Sequence, residues 1–202
     1  MPPIESTAAI LLLWGVIGYV LGSIPFGMVL SRAMGLGNLR DIGSGSIGAT
    51  NVLRTGSKSA AALTLILDAL KGVVAVLLAR AMVGEDAAQV AALMAMVGHC
   101  YPVWLKFNGG KGVATFLGLV LVLSWPVGIG CCAAWLIGAA VFRVSSMASL
   151  ISAAASTFLV VLIGTAPILI LCIFLTLLIF WRHRSNIVRI RAGTEPKIGK
   201  KS

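Results

Sequence analysis

Apolar runs long enough to cross a bilayer follow one another down this chain, separated only by short polar loops. One crossing needs about 20 apolar residues, so 202 residues hold at most seven or eight spans and no large domain outside the membrane. Composition agrees: 59% of the residues are hydrophobic, and only 11% are charged. Soluble domains average about 45–50% apolar and about 25% charged. A mean hydropathy of +1.03 excludes an ordinary water-soluble globule. It equally excludes disorder, which needs low hydrophobicity.

The runs and their breaks predict an all-α integral membrane fold of seven spans, near 8–31, 59–83, 88–105, 112–124, 127–142, 147–163 and 166–181. The whole chain, 1–202, reads as a single transmembrane domain. The N-terminal run follows Met-Pro-Pro-Ile-Glu rather than a basic segment and has no A-x-A cleavage pattern, so it is expected to be a retained helix. The stretch 112–142 is the ambiguous part. As two helices of about 14 residues, each is roughly 21 Å long, short against a core of about 30 Å. As one helix it would be about 46 Å, too long without strong tilt. Trp125-Pro126 with Gly128 and Gly130 supplies a turn and an interfacial anchor, which favours two.

Charge provides an independent check. Sixteen basic residues stand against six acidic ones. Arg32, Arg40, Arg54 and Lys58 lie in one loop, Lys106 and Lys111 in another, and Arg143 at a corner. The tail carries seven more cations. Seven spans put all of these on one side, which predicts an outside N-terminus and a cytoplasmic C-terminus. Five spans would leave Arg143 outside. The four cysteines lie in apolar stretches without CxxC or metal-ligand spacing, so packing roles are expected and no metal site or disulfide framework is implied.

The basic loops are also rich in Gly, Ser, Thr and Asn. In Gly43-Ser44-Gly45-Ser46-Ile47-Gly48-Ala49-Thr50-Asn51-Val52-Leu53-Arg54, glycines allow amides to line an anion-binding nest. Ser44, Thr50 and Asn51 add neutral hydrogen-bonding groups, and Arg54 can pair with phosphate. A flexible linker is the bland alternative, and the fixed polar set after the small-residue turns weighs against it. Asn108-Gly109-Gly110-Lys111-Gly112, just before a helix, reads as a phosphate cradle with Lys111 as point charge. It is not a Walker A loop, because Gly112 follows the lysine and Leu105 stands at the first glycine position. ATP binding is therefore not supported.

His183 and Asn186, three apart, share a face if the last helix continues. A stop-transfer basic cluster explains the arginines around them, but not the His and Asn. His99, near a helix end, fits packing or function equally well. Asp68 and Lys71 lie within the second span, as a helix-joining pair or a functional one.

GSIPFG (22–27), GSGSIGATNVLR (43–54), DALKG (68–72), GHCYPVWLKFNGGKGVAT (98–115) and HRSNIVRI (183–190) resemble, in order and spacing, the motifs of the bacterial acyl-phosphate:glycerol-3-phosphate acyltransferases, the PlsY family. The resemblance covers essentially the whole chain. It implies a seven-helix enzyme of the bacterial inner membrane, with its site on the cytoplasmic face. The enzyme would move an acyl chain from acyl phosphate to the 1-hydroxyl of sn-glycerol 3-phosphate, with no cofactor or metal.

Carried onto this sequence, the resemblance makes His183 and Asn186 catalytic. It makes Ser44, Thr50, Asn51, Arg54, Gly109, Gly110, Lys111, Gly112 and Ser149 substrate-binding. Ser46 stands where the family usually has Asn, and Asn108 where it often has Lys. Expected partners are the two substrates and membrane lipid, with no nucleic acid and a monomeric chain. The rival reading is a membrane transporter of a phosphorylated solute. It is weakened by the absence of inverted repeats and by a polar set gathered at one face. In the acyltransferase reading, three stretches far apart in the chain serve two phosphorylated reactants at the inner water–lipid boundary.

Overall fold

The computed structural model describes residues 2–199, and all regular structure among them is helical. The helices are α1 (Ala8–Gly22), α2 (Phe26–Ala33), α3 (Ala49–Val52), α4 (Lys58–Met82), α5 (Glu85–Cys100), α6 (Val113–Leu123), α7 (Trp125–Phe142), α8 (Ser145–Ile163), α9 (Leu169–Arg182) and α10 (Arg184–Arg191). Short 3-10 turns occupy Leu39–Asp41, Leu53–Thr55, Val103–Leu105 and Ala166–Ile168. The chain divides into two compact units, one of residues 3–119 and the other of residues 120–199 together with Pro2.

Five segments are long and apolar enough to cross a membrane: Ala8–Ala33, Lys58–Met82, Glu85–Leu105, Trp125–Phe142 and Ser145–Ile163. A sixth is Ala166–Arg182 with Arg184–Arg191, a pair bent by 61°. The expected fourth span is only the 11-residue α6, about 17 Å of helix. The expected first span, 8–31, corresponds to Ala8–Ala33, although the helix is interrupted within it. Pro25 has no N–H to continue the ladder of α1, so Ser23 caps α1 and the helix restarts at Phe26.

In the first unit α1, α4 and α5 pack together, with α2 and α3 against α4. Close approach explains the residue choice. A Cβ added at Gly18 would strike the backbone of Ala91, at Gly22 that of Ala95, and at Gly98 that of Tyr19. Small residues four apart on both helices let the backbones touch, which is how apolar helices associate where solvent supplies no hydrophobic drive. In the second unit α7 packs on α8 and α8 on α9. There, buried hydroxyls join the helices. Ser152 donates to the Cys131 carbonyl at 2.7 Å, and Thr176 to that of Ala153 at 2.8 Å.

The distribution of side-chain size inverts that of a soluble protein. Ala75, Ala79, Ala88, Ala91, Ala92 and Ala95 are fully buried, while Leu12, Leu136, Phe158, Leu162, Phe174 and Leu177 are exposed. A surface of large apolar side chains over an interior of small and hydroxyl-bearing ones suits a hydrocarbon solvent. Gly22→Leu should therefore lower the melting temperature in detergent by the equivalent of about 1–3 kcal/mol or more. Leu12→Ala on the exposed face should leave it nearly unchanged.

Candidate active site

Apart from Ser149 on α8, the predicted residues fall into one cluster in the loop before α4, one in the turn before α6, and one around the α9–α10 bend. Local hydrogen bonds shape each of them.

In the loop before α4, Asn51 is buried and holds the turn together. Its Nδ2 donates to the carbonyls of Leu39 at 3.0 Å and Ser46 at 2.7 Å. Its Oδ1 accepts from the Ser44 amide at 3.1 Å and from the Ser44 hydroxyl at 3.5 Å. Every polar atom of Asn51 is thus engaged in shaping the loop, and the exposed Ser44 and Arg54 are what it displays. The Arg54 side chain lies over Gly43, where a Cβ would collide with its Cδ and guanidinium. Among the described residues Arg54 has no carboxylate partner. Thr50 is exposed on α3.

The turn before α6 departs from the expected cradle. The Gly109 amide donates to the Cys100 carbonyl at 3.1 Å, and the Gly110 amide to the His99 carbonyl at 3.0 Å. These two N–H groups bind the turn to the end of α5, which leaves the half-buried Lys111 as its outward side chain, with Gly112 buried against Met96 and Cys100. A Cβ at Gly110 would overlap the His99 ring. Gly112 has φ +83°, a left-handed conformation that any other residue adopts only with strain.

Behind this turn lies a buried charge cluster. Lys71 Nζ is 3.0 Å from Asp68 Oδ1 and 2.8 Å from His99 Nδ1, and it donates to the Ile24 carbonyl at 2.9 Å. That carbonyl sits at the break of the first helix, where it also accepts from the Phe26 amide at 3.1 Å, so the ammonium ties α4 to the break. Thr115 Oγ1 donates to the Asp68 carbonyl at 2.8 Å, tying α6 to α4. The geometry makes Asp68 and Lys71 a joint between helices.

At the α9–α10 bend the expected continuous helix is interrupted. His183 ends α9 and precedes α10. It nevertheless stays with Asn186 on a buried face, at 2% and 3% exposure. Continuity is kept by the Ile187 amide, which donates to the His183 carbonyl at 2.9 Å. His183 Nδ1 is 2.8 Å from the Ile179 carbonyl. A carbonyl only accepts, so Nδ1 carries the hydrogen and the neutral ring has its lone pair on Nε2.

Glu195 reaches this bend from the tail. Its Oε1 accepts from Asn186 Nδ2 at 2.6 Å and from Ser146 Oγ at 2.7 Å. Its Oε2 accepts from Arg189 Nε at 2.6 Å. Burial raises its carboxyl pKa, but the hydrogen bonds from Asn186, Ser146 and Arg189 outweigh that and hold it below the usual glutamate value. The tail is also fastened where the Ile198 amide donates to the Arg143 carbonyl at 2.7 Å. Of the serine-rich corner, the sequence singled out Ser149. That hydroxyl donates to the Ser145 carbonyl at 2.8 Å and accepts from Trp135 Nε1 at 3.2 Å. Ser146 is the serine joined to the bend. Glu195 had one visible signal, as the single acid in a tail of seven cations.

The model of the family described as glycerol-3-phosphate acyltransferase matches residues 12–193. The chain belongs to that family. Glycerol-3-phosphate acyltransferases of Roseobacter denitrificans and Ruegeria pomeroyi are 70% and 67% identical to it. The first match covers 98% of this chain and 99% of the relative, the second all of both. The crystal structure of PlsY (YgiH), an integral membrane glycerol 3-phosphate acyltransferase in its glycerol 3-phosphate form, is also similar. It gives a TM-score of 0.88 at 37% identity, over 94% of this chain and 96% of that one. The lysophosphatidic acid form of the same enzyme gives 0.85 at 35%, over 94% and 95%. With the apolar helices, this makes the chain a multi-pass membrane acyltransferase.

Two outcomes follow. Lys71→Met should destabilise the protein by about 3–5 kcal/mol, because it strands a buried carboxylate. Lys71→Met with Asp68→Leu should recover part of that loss in detergent unfolding. Glu195 has a folded pKa below its unfolded value of about 4.3, so its contribution is present above that value and lost as pH falls through the folded pKa. A spin label at Lys197 should be immobile at pH 6 and gain mobility only as the pH falls below the usual glutamate range.

Proposed function

We propose that this protein transfers an acyl chain from acyl phosphate to the 1-hydroxyl of sn-glycerol 3-phosphate, releasing 1-acyl-glycerol 3-phosphate and inorganic phosphate. The observation that carries this reading is that a solved relative, alike over 94% of the chain, was captured in both glycerol 3-phosphate and lysophosphatidic acid forms. Those are acceptor and product of one acylation. Acyl phosphate as donor is supported by the sequence motifs. We assign the whole chain to one functional domain of seven spans, counting the short α6, in the bacterial inner membrane. The basic loops support a cytoplasmic site and C-terminus. The chain acts as a monomer, without cofactor or metal.

Both reactants are anionic, so the site must neutralise phosphate. Lys111 and Arg54 do this, with Ser44, Thr50 and the Gly112 backbone as hydrogen-bonding groups. Asn51 acts by holding Ser44 and the loop beneath it in shape. Gly109 and Gly110 act by seating the Lys111 turn on His99, and Ser149 by bracing the corner that carries Ser146. His183 and Asn186 orient the acceptor hydroxyl.

The hydroxyl oxygen attacks the acyl carbonyl carbon, and a new C–O bond forms. The bond from that carbon to the phosphate oxygen breaks, and phosphate leaves with the electron pair. The hydroxyl proton passes to His183 Nε2 or to a phosphate oxygen. No Ser-His-Asp arrangement is needed for this direct transfer. Orientation and stabilisation of the developing oxyanion supply the rate.

Purified protein given acyl phosphate and glycerol 3-phosphate should release phosphate and a lysolipid in equal amounts. Lys111→Ala and His183→Ala should each lower turnover by about 100-fold or more while membrane insertion is unchanged. Uptake of glycerol 3-phosphate into vesicles without chemical change would overturn the reading.

A further inference from the structure

The α9–α10 bend holds an asymmetry that the proposed reaction leaves unexplained. Asn186 Nδ2 donates to Glu195 at 2.6 Å. The Asn186 Oδ1 is buried and, among the described residues, accepts no hydrogen bond. An ionised carboxylate has no hydrogen to give, so the amide nitrogen must be the atom that faces Glu195. The orientation of the carboxamide is therefore set by chemistry. Glu195 is in turn held by Ser146 at 2.7 Å and Arg189 at 2.6 Å, so it cannot swing away with Asn186.

An unsatisfied buried acceptor is a costly thing for a fold to keep. A cluster that fixes one half of an amide with three hydrogen bonds and leaves the other half open is built to receive a donor. Phosphate and acyl groups offer acceptors. Among the atoms of the two reactants proposed above, the donors are the hydroxyls of glycerol 3-phosphate.

We infer that Glu195 is a positioning residue that locks the Asn186 carboxamide with its oxygen toward the substrate, where that oxygen accepts the hydrogen bond of the glycerol hydroxyl that is to be acylated. This rests on the proposed reaction for the identity of the donor. Accepting that hydrogen bond points an oxygen lone pair away from Asn186, toward the acyl carbonyl, and no proton is transferred to the amide. Glu195 touches neither reactant.

The test uses the full chain in detergent, with glycerol 3-phosphate and its 1-deoxy analogue as probes. Wild type should bind glycerol 3-phosphate about tenfold more tightly than the analogue, the worth of one hydrogen bond. In Glu195→Gln, whose own amide allows Asn186 to turn over, that preference should fall to near unity. The dissociation constant of the analogue should stay unchanged, and kcat should drop at least tenfold. Retention of the preference would overturn the inference, and so would equal loss of both ligands, the mark of a general structural defect.

A second readout is independent of substrate. The side-chain amide resonance of Asn186 should shift with pH as Glu195 titrates in wild type, and stay fixed in Glu195→Gln. A resonance that ignores pH in wild type overturns the inference. If wild type binds neither probe and acylates nothing, the proposed reaction has failed, and the resonance alone decides whether Glu195 sets the amide.

Discussion

Hydrocarbon offers no hydrogen bonds and no hydrophobic drive to push helices together, and this constraint explains most of the molecule. Association must come from contact and from polar groups that have nowhere else to go. The glycines and alanines of α1 and α5 bring backbones within touching range, and a larger side chain there would meet main-chain atoms that cannot move aside. The hydroxyls of Ser152 and Thr176 find carbonyls on neighbouring helices. Large apolar side chains are left facing outward, where lipid suits them.

The same constraint turns a backbone irregularity into an anchor. Pro25 interrupts the first helix, and the Ile24 carbonyl, whose helical donor the Met28 amide turns to Pro25 instead, is met by the Phe26 amide and by Lys71, whose charge Asp68 balances. An ion pair inside an apolar unit is a costly way to stabilise a fold, but it is a specific one. The ammonium fits only when the break, α4 and His99 are in register.

Much of the fold could be read from the chain because a hydropathy run is a direct image of the membrane. The helices around 59–83, 127–142 and 147–163 lie close to where the runs put them. The breaks were harder. Pro25 was visible, yet a run without charge on either side of it reads as one span. The bend at His183 has no proline or glycine to announce it. The candidate site was legible in residue type and only partly in local structure. Arg54, Lys111, His183 and Asn186 stand out by chemistry. That Asn51 works on its own loop, that Gly109 and Gly110 spend their amides on α5, and that Ser146 rather than Ser149 joins the bend all depend on hydrogen-bond directions. Spacing does not encode these.

His99 touches the interior pair through one ring nitrogen, while its ring fills the space over Gly110 and its carbonyl receives the Gly110 amide. Charge in the heart of the first unit and the pose of the Lys111 turn at its edge are therefore one mechanical assembly. Anyone who grafts that turn onto another scaffold, or retunes it for a different anion, must bring Asp68, Lys71 and His99 along with it, because the loop has no shape of its own to carry away.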